Sequence, residues 1–99
     1  MLIVLATAKL GNGVPDAGLE VLRAMINASR AEEGCISYAY ATDVLDPTIL
    51  HVVEKWKDDE ALAFHFATPH MAEFRKALAT LDLKITEIAK YRSDDGNPI

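Results

Sequence analysis

Residues 50–78 read LHVVEKWKDDEALAFHFATPHMAEFRKAL, and this run constrains the fold more than any other part of the chain. His51–Trp56 alternates and is rich in β-branched residues, so it predicts a strand. Lys57-Asp58-Asp59 stops that strand, and acidic residues suit the first turn of a following helix. Glu60–Phe66 is the predicted helix. Thr68 before Pro69 predicts an N-cap with Pro at the first helical position, opening a second helix to about Leu81. Met71, Phe74, Leu78 and Leu81 recur at spacings of three and four, which marks a core-facing stripe.

The rest of the chain supplies the partners. Leu2–Leu10 predicts a strand that is apolar on both faces: Leu2, Val4, Ala6 and Ala8 on one, Ile3, Leu5 and Thr7 on the other. Gly11-Asn12-Gly13-Val14-Pro15 predicts a loop. A helix then runs from about Asp16 to about Glu32, with Leu19, Leu22, Ile26 and Ser29 inward and Met25 beside them. Gly34 stands where a left-handed residue would end it. Cys35–Asp43 predicts a strand with Ile36, Tyr38 and Tyr40 on one face, opposite Cys35, Ser37, Ala39 and Ala41. Asp46-Pro47 predicts a turn into the strand Thr48–Trp56, so these two strands form a hairpin. Leu83–Arg92 predicts a last strand, with Leu83, Ile85, Glu87, Ala89 and Tyr91 on one side. The order β-α-β-β-α-β predicts an α+β, ferredoxin-like protomer: an antiparallel sheet with helices on one face. The domain spans residues 1–92, and the polar residues 93–99 form a tail.

An antiparallel sheet covered on one side normally turns a polar face to water. Here that face is predicted to be largely apolar, the mark of an interaction surface. A homodimer whose sheets pack face to face is the expected partner arrangement. The net charge is −5 and the ten Lys and Arg are scattered, which argues against nucleic acid. Leu2–Ala8 is too short to span a membrane and lacks a signal-peptide layout. A lone cysteine, Cys35, excludes an internal disulfide or a cysteine zinc cluster and fits a cytoplasmic setting. His51 and Glu54 lie on opposite strand faces, and a helix break separates His65 from His70. No metal-ligand spacing is present, so no metal is expected. No phosphate-binding glycine loop or dinucleotide fingerprint occurs either.

The run RAEEGCISYAYATDVLDPTILHVVEKWKDDEALAFHFATPHMAEF resembles the antibiotic biosynthesis monooxygenase domain of the dimeric α+β barrel superfamily. The matching features are Arg30, Glu33-Gly34-Cys35, Tyr38, Asp46-Pro47, Glu54-x-Trp56, Ala61-Leu62, His65, Pro69-His70 and Phe74. The likeness covers nearly the whole chain up to the tail. It implies protomers paired through their sheets, with pockets between sheet and helices. It also implies oxidation of a small phenol or quinol by dioxygen with no cofactor, neither metal nor flavin. Haem degradation is a second activity of the family. Several active members, the haem-degrading ones especially, carry an asparagine on the first strand, where this chain has Ala6 and Thr7.

On that resemblance His65 is the candidate catalytic base, because imidazole titrates in the range needed to deprotonate a phenol. Trp56 would stack on an aromatic substrate. Glu54, two residues away on the same strand face, would orient His65 or bind a polar substrate edge. Tyr38, Tyr40, Phe64 and Leu62 would line the site, and Arg30 would hold an anionic intermediate. Each has a plainer structural reading as core, cross-strand or helix-end residue. The competing functions are a non-catalytic dimeric barrel that binds a small apolar ligand, and an RNA-binding ferredoxin-like sheet, which would need exposed aromatics and basic loops.

Overall fold

The computed structural model describes residues 1–11 and 16–99. Seven elements follow in order: β1 (Leu2–Leu10), α1 (Asp16–Arg30), β2 (Cys35–Thr42), β3 (Ile49–Trp56), α2 (Asp59–Phe66), α3 (Pro69–Leu78) and β4 (Leu83–Arg92). The strands form an antiparallel sheet in the order β2-β3-β1-β4. This is the expected ferredoxin-like α+β protomer, its second helical region broken in two. The loop expected over residues 11–15 lies, beyond Gly11, outside the described residues. Among the described residues no helix is long and apolar enough to cross a membrane.

The helix ends follow local chemistry. Thr68 is extended and its hydroxyl accepts from the Met71 amide, with Pro69 opening α3, as the sequence predicts. Asp58 caps α2 by accepting from the Ala61 amide, so the helix starts one residue before Glu60. α3 stops at Leu78 rather than Leu81, and α1 at Arg30 rather than Glu32. Gly34 does not adopt the expected left-handed conformation; among the described residues only Gly96 has positive φ, at 77°. Its need is space. A Cβ on Gly34 would stand 2.3 Å from the Ala61 Cβ of α2. Gly34→Ala is therefore expected to lower the unfolding free energy by about 1–3 kcal/mol in urea denaturation. Adding Ala61→Gly restores the space at about 1 kcal/mol of helix propensity. A single variant as stable as the parent would show that this approach is not tight.

The main core joins Leu2, Val4, Met25, Tyr38, Trp56, Leu62 and Met71 between sheet and helices. The inward stripe of α1 is Gly18, Leu22, Met25 and Ser29. Leu19 is 39% exposed, because the stripe lies one position further round the helix than Leu19 and Ile26 suggest.

Two register shifts alter the strand faces read from strict alternation. In β2, Cys35 pairs with Trp56 but Ser37 with Lys55, which leaves Ile36 as the extra residue. Cys35 consequently packs on the core, and Ile36 leaves the face of Tyr38 and is 54% exposed. In β4, Thr7 pairs with Glu87 but Ala8 with Ile85, so Thr86 is extra. Its hydroxyl lies 2.9 Å from that of Thr7. Beyond this point the parity of β4 reverses. Leu83, Ile85 and Ile88 share the helix side, while Glu87, Ala89 and Tyr91 pair with Thr7, Leu5 and Ile3 on the open face. That open face is apolar at its centre, with Leu5, Val53 and Tyr91 well exposed in the single chain.

Candidate active site

The helices do not close over β4. They leave a cleft of about 200 Å³ between α3 and the sheet. Ala6, Ala8, Leu50 and Val52 form its floor, Ile85 and Ile88 one side, and Met71, Phe74 and Leu78 of α3 the other. Ile85, Ile88 and Phe66 are half-exposed and give the opening an apolar rim. Polar residues border the cleft as well: Glu54, Tyr38, Tyr40, Arg75 and Thr7. Arg75 is exposed, whereas Tyr38 and Glu54 are buried.

Glu54 is the chemically pointed group. Strand alternation puts it on the same face as Trp56, whose Nε1–H donates to Glu54 Oε1 at 2.9 Å. Burial raises the Glu54 pKa above the usual carboxylate range, the Trp56 hydrogen bond opposing and the Glu32 charge adding to the rise. The Tyr38 and Tyr40 hydroxyls lie 2.8 Å apart. Burial raises the Tyr38 pKa strongly and pushes Tyr40 up to about 12, so both phenols stay protonated at neutral pH.

Behind Glu54 runs a chain of buried groups. His65 is fully enclosed and lies against Trp56, ring centroids 4.4 Å apart at 37°. Its Nδ1–H donates to Glu32 Oε2 at 2.6 Å, and His70 Nε2–H donates to the same oxygen at 2.7 Å. The Glu32 side chain is 5% exposed. Glu32 Oε1 and His65 Nε2 have no partner among the described residues. Burial lowers the His65 pKa, with the Glu32 hydrogen bond opposing. The α2–α3 corner makes this convergence possible: Thr68 Oγ1 donates to the His65 carbonyl at 2.7 Å while capping α3.

Of the residues expected at the site, Glu54, Tyr38 and Tyr40 border the cleft. Trp56 and His65 stand behind them, enclosed and out of reach of a ligand in the cleft. Three further placements differ from expectation. Leu62 is a core residue packed in the cluster around Trp56. Phe64 is 65% exposed and borders a separate groove beside Glu32 and His70, because the α2 turn points it away from the sheet. Arg30 Nε donates to the Tyr38 carbonyl oxygen at 2.8 Å and so ties α1 to β2 outside the cleft. Strand and helix parity alone did not bring Phe66, Arg75, Ile85 or Ile88 to the cleft. Glu32 was also missed, although a carboxylate just past a helix C-terminus is disfavoured by the helix dipole and calls for a partner.

Comparison with known proteins finds relatives of the whole fold. A family model described as antibiotic biosynthesis monooxygenase matches residues 1–77. An uncharacterized protein of Synechocystis is 30% identical over 91 residues, 92% of this chain; the chain spans 62% of that relative's length. YcnE of Bacillus subtilis, whose name proposes a monooxygenase, is 30% identical over 95 residues, covering 91% of this chain and 100% of YcnE. A crystal structure from Deinococcus radiodurans, whose name likewise proposes an antibiotic biosynthesis monooxygenase, superposes with a TM-score of 0.84 at 25% identity. That superposition covers 100% of this chain and 98% of the other.

Proposed function

The chain belongs to the antibiotic biosynthesis monooxygenase family, and from that premise we propose that it oxidises a small phenol or quinol with dioxygen in the cleft, with no metal or flavin taking part. One observation carries this reading: a single buried carboxyl, Glu54, on the wall of a largely apolar cavity of about 200 Å³. That volume is below the ~300–1,000 Å³ of drug-sized sites, which favours one ring or two fused rings.

The proton-accepting role expected of His65 is assigned to Glu54, because Glu54 borders the cleft and His65 does not. The substrate hydroxyl loses its proton to Glu54. The anion gives one electron to dioxygen, and the two radicals combine to form a carbon–oxygen bond at the ring carbon para to the hydroxyl. The peroxide takes the proton back. On a substrate whose para carbon carries hydrogen, loss of water with that hydrogen then leaves a quinone. One oxygen atom ends in product and one in water. The neutral Tyr38–Tyr40 pair is suited to donate to the substrate oxygen. His65 acts as a positioning residue through the Trp56 indole.

Oxygen uptake against a panel of naphthols and dihydroxynaphthalenes tests the reaction, with quinone formation as the readout. Retention of these compounds with no oxygen consumption would instead leave the protein a binder of small apolar ligands. The exposed Leu5, Val53 and Tyr91 support a homodimer clasped through the open sheet face. Sedimentation at micromolar concentration is expected to give twice the 10.8 kDa chain mass. Val53→Glu is expected to give the monomer, and a parent protein that is itself monomeric would overturn the pairing.

A further inference from the structure

We propose that Glu32, His65 and His70 form a binding site for a divalent transition-metal cation of the zinc class, separate from the cleft. One donor atom from each lies within 4.8 Å of the others. Two imidazole nitrogens and a carboxylate oxygen are the donor set that Zn²⁺ takes, commonly with water in a fourth position. The three come from the turn just after α1, from α2 and from the first turn of α3, so an ion here would pin all three segments.

The cluster is built for a positive charge. Glu32 is 5% exposed, and its Oε1 has no partner among the described residues. A buried carboxylate with an idle oxygen is costly unless something neutralises it. The two hydrogen bonds it accepts both fall on Oε2, at 2.6 and 2.7 Å. Tetrahedral ligands at ~2.0–2.1 Å from zinc stand roughly 3.3 Å apart. Each imidazole nitrogen therefore needs to move roughly 0.6–0.7 Å away from Glu32 Oε2 on metal binding, and His70, at 24% exposed, has room to move. His70 also borders the groove that passes Glu33, Asp58 and Glu60. That groove, where these acidic groups outnumber the one lysine, Lys57, gives an ion a route in and room for the water ligand.

Trp56 is the chain's single tryptophan and lies against His65, so its fluorescence reports on the site. Chelator-treated full-length protein is titrated with Zn²⁺ and, separately, with Co²⁺. Saturation at a single ion per chain is expected, with a change in Trp56 emission, a rise in Tm, and visible Co²⁺ absorption typical of four-coordination. His70→Ala, at the most accessible ligand, is expected to weaken binding beyond the ~10–100-fold that loss of an outer-sphere partner brings. His51→Ala, in the β2–β3 hairpin, is expected to leave it unchanged. Absence of stoichiometric binding at micromolar Zn²⁺, or binding untouched by His70→Ala, overturns the site. None of these readouts requires turnover, so the result stands apart from the monooxygenase reading.

Discussion

Glu54→Gln is expected to lower kcat for oxygen uptake by about 10²–10⁴-fold while KM changes little. The amide keeps the volume of the carboxyl and still offers an oxygen to Trp56 Nε1–H, so the cleft retains its shape. What it loses is the ability to take the substrate proton. The pH profile sharpens the test. Burial raises the Glu54 pKa, so the parent enzyme's kcat/KM is expected to climb with pH through a value above the usual carboxylate range and then level off. The same shift has the opposite sign for stability. A carboxyl whose folded pKa exceeds its unfolded value contributes stability below the unfolded pKa of ~4.3 and loses it as pH rises through the folded value. The ionised form that works as a base is thus the form that strains the fold. Glu54→Gln should abolish both dependences together. A variant that kept the parent's rate and pH profile would remove Glu54 from the reaction.

Trp56→Ala is expected to destabilise the protein by about 3–5 kcal/mol, a large share of the ~5–15 kcal/mol typical of such a domain. Trp56 is fully buried, packs edge-on to Tyr38 at 6.2 Å and lies against His65 at 4.4 Å. Truncating it opens a hole at the junction of β3, α1 and α2 and leaves the Glu54 carboxyl without its donor. At ~4–8 °C per kcal/mol for a domain of this length, Tm should fall by more than about 12 °C. Trp56→Phe fills most of the hole but removes the indole N–H. It is expected to fold with a smaller loss of stability and to release Glu54, so activity falls further than stability does. A Trp56→Ala protein within 1 kcal/mol of the parent would contradict this account of the core.

Local signals predicted much of the architecture. Thr68-Pro69 marked the break between α2 and α3 because a capping hydroxyl and an N1 proline act within one turn. Glu54 and Trp56 were legible as neighbours because strand alternation needs no tertiary information. Alternation failed where the strands slip: Ile36 and Thr86 each add a residue, and no residue type in either strand announces a bulge. The meeting of Glu32 with His65 and His70 was hidden for a different reason. Residues 33 and 38 positions apart in the chain are joined only by how α1 sits against the α2–α3 corner. His65 illustrates the limit. Sequence reasoning found that it belongs beside Trp56, but not that its ring would face away from the cleft into a carboxylate.

The extra residue at Thr86 acts on β4 as a phase shifter. It lets Ile85 and Ile88, three apart, look into the same hollow, which a regular strand forbids. Removing Thr86 would leave a regular ladder, with Ile85 still opposite Ala8 and Leu83 still opposite Leu10, so the greasy wall would survive. Removing Ile85 as well would bring Lys84 opposite Ala8 and turn its charge into the wall. Within such a scaffold the bulge is a spare position: the margin of the chamber tolerates the loss of one codon here and loses its apolar character with the second.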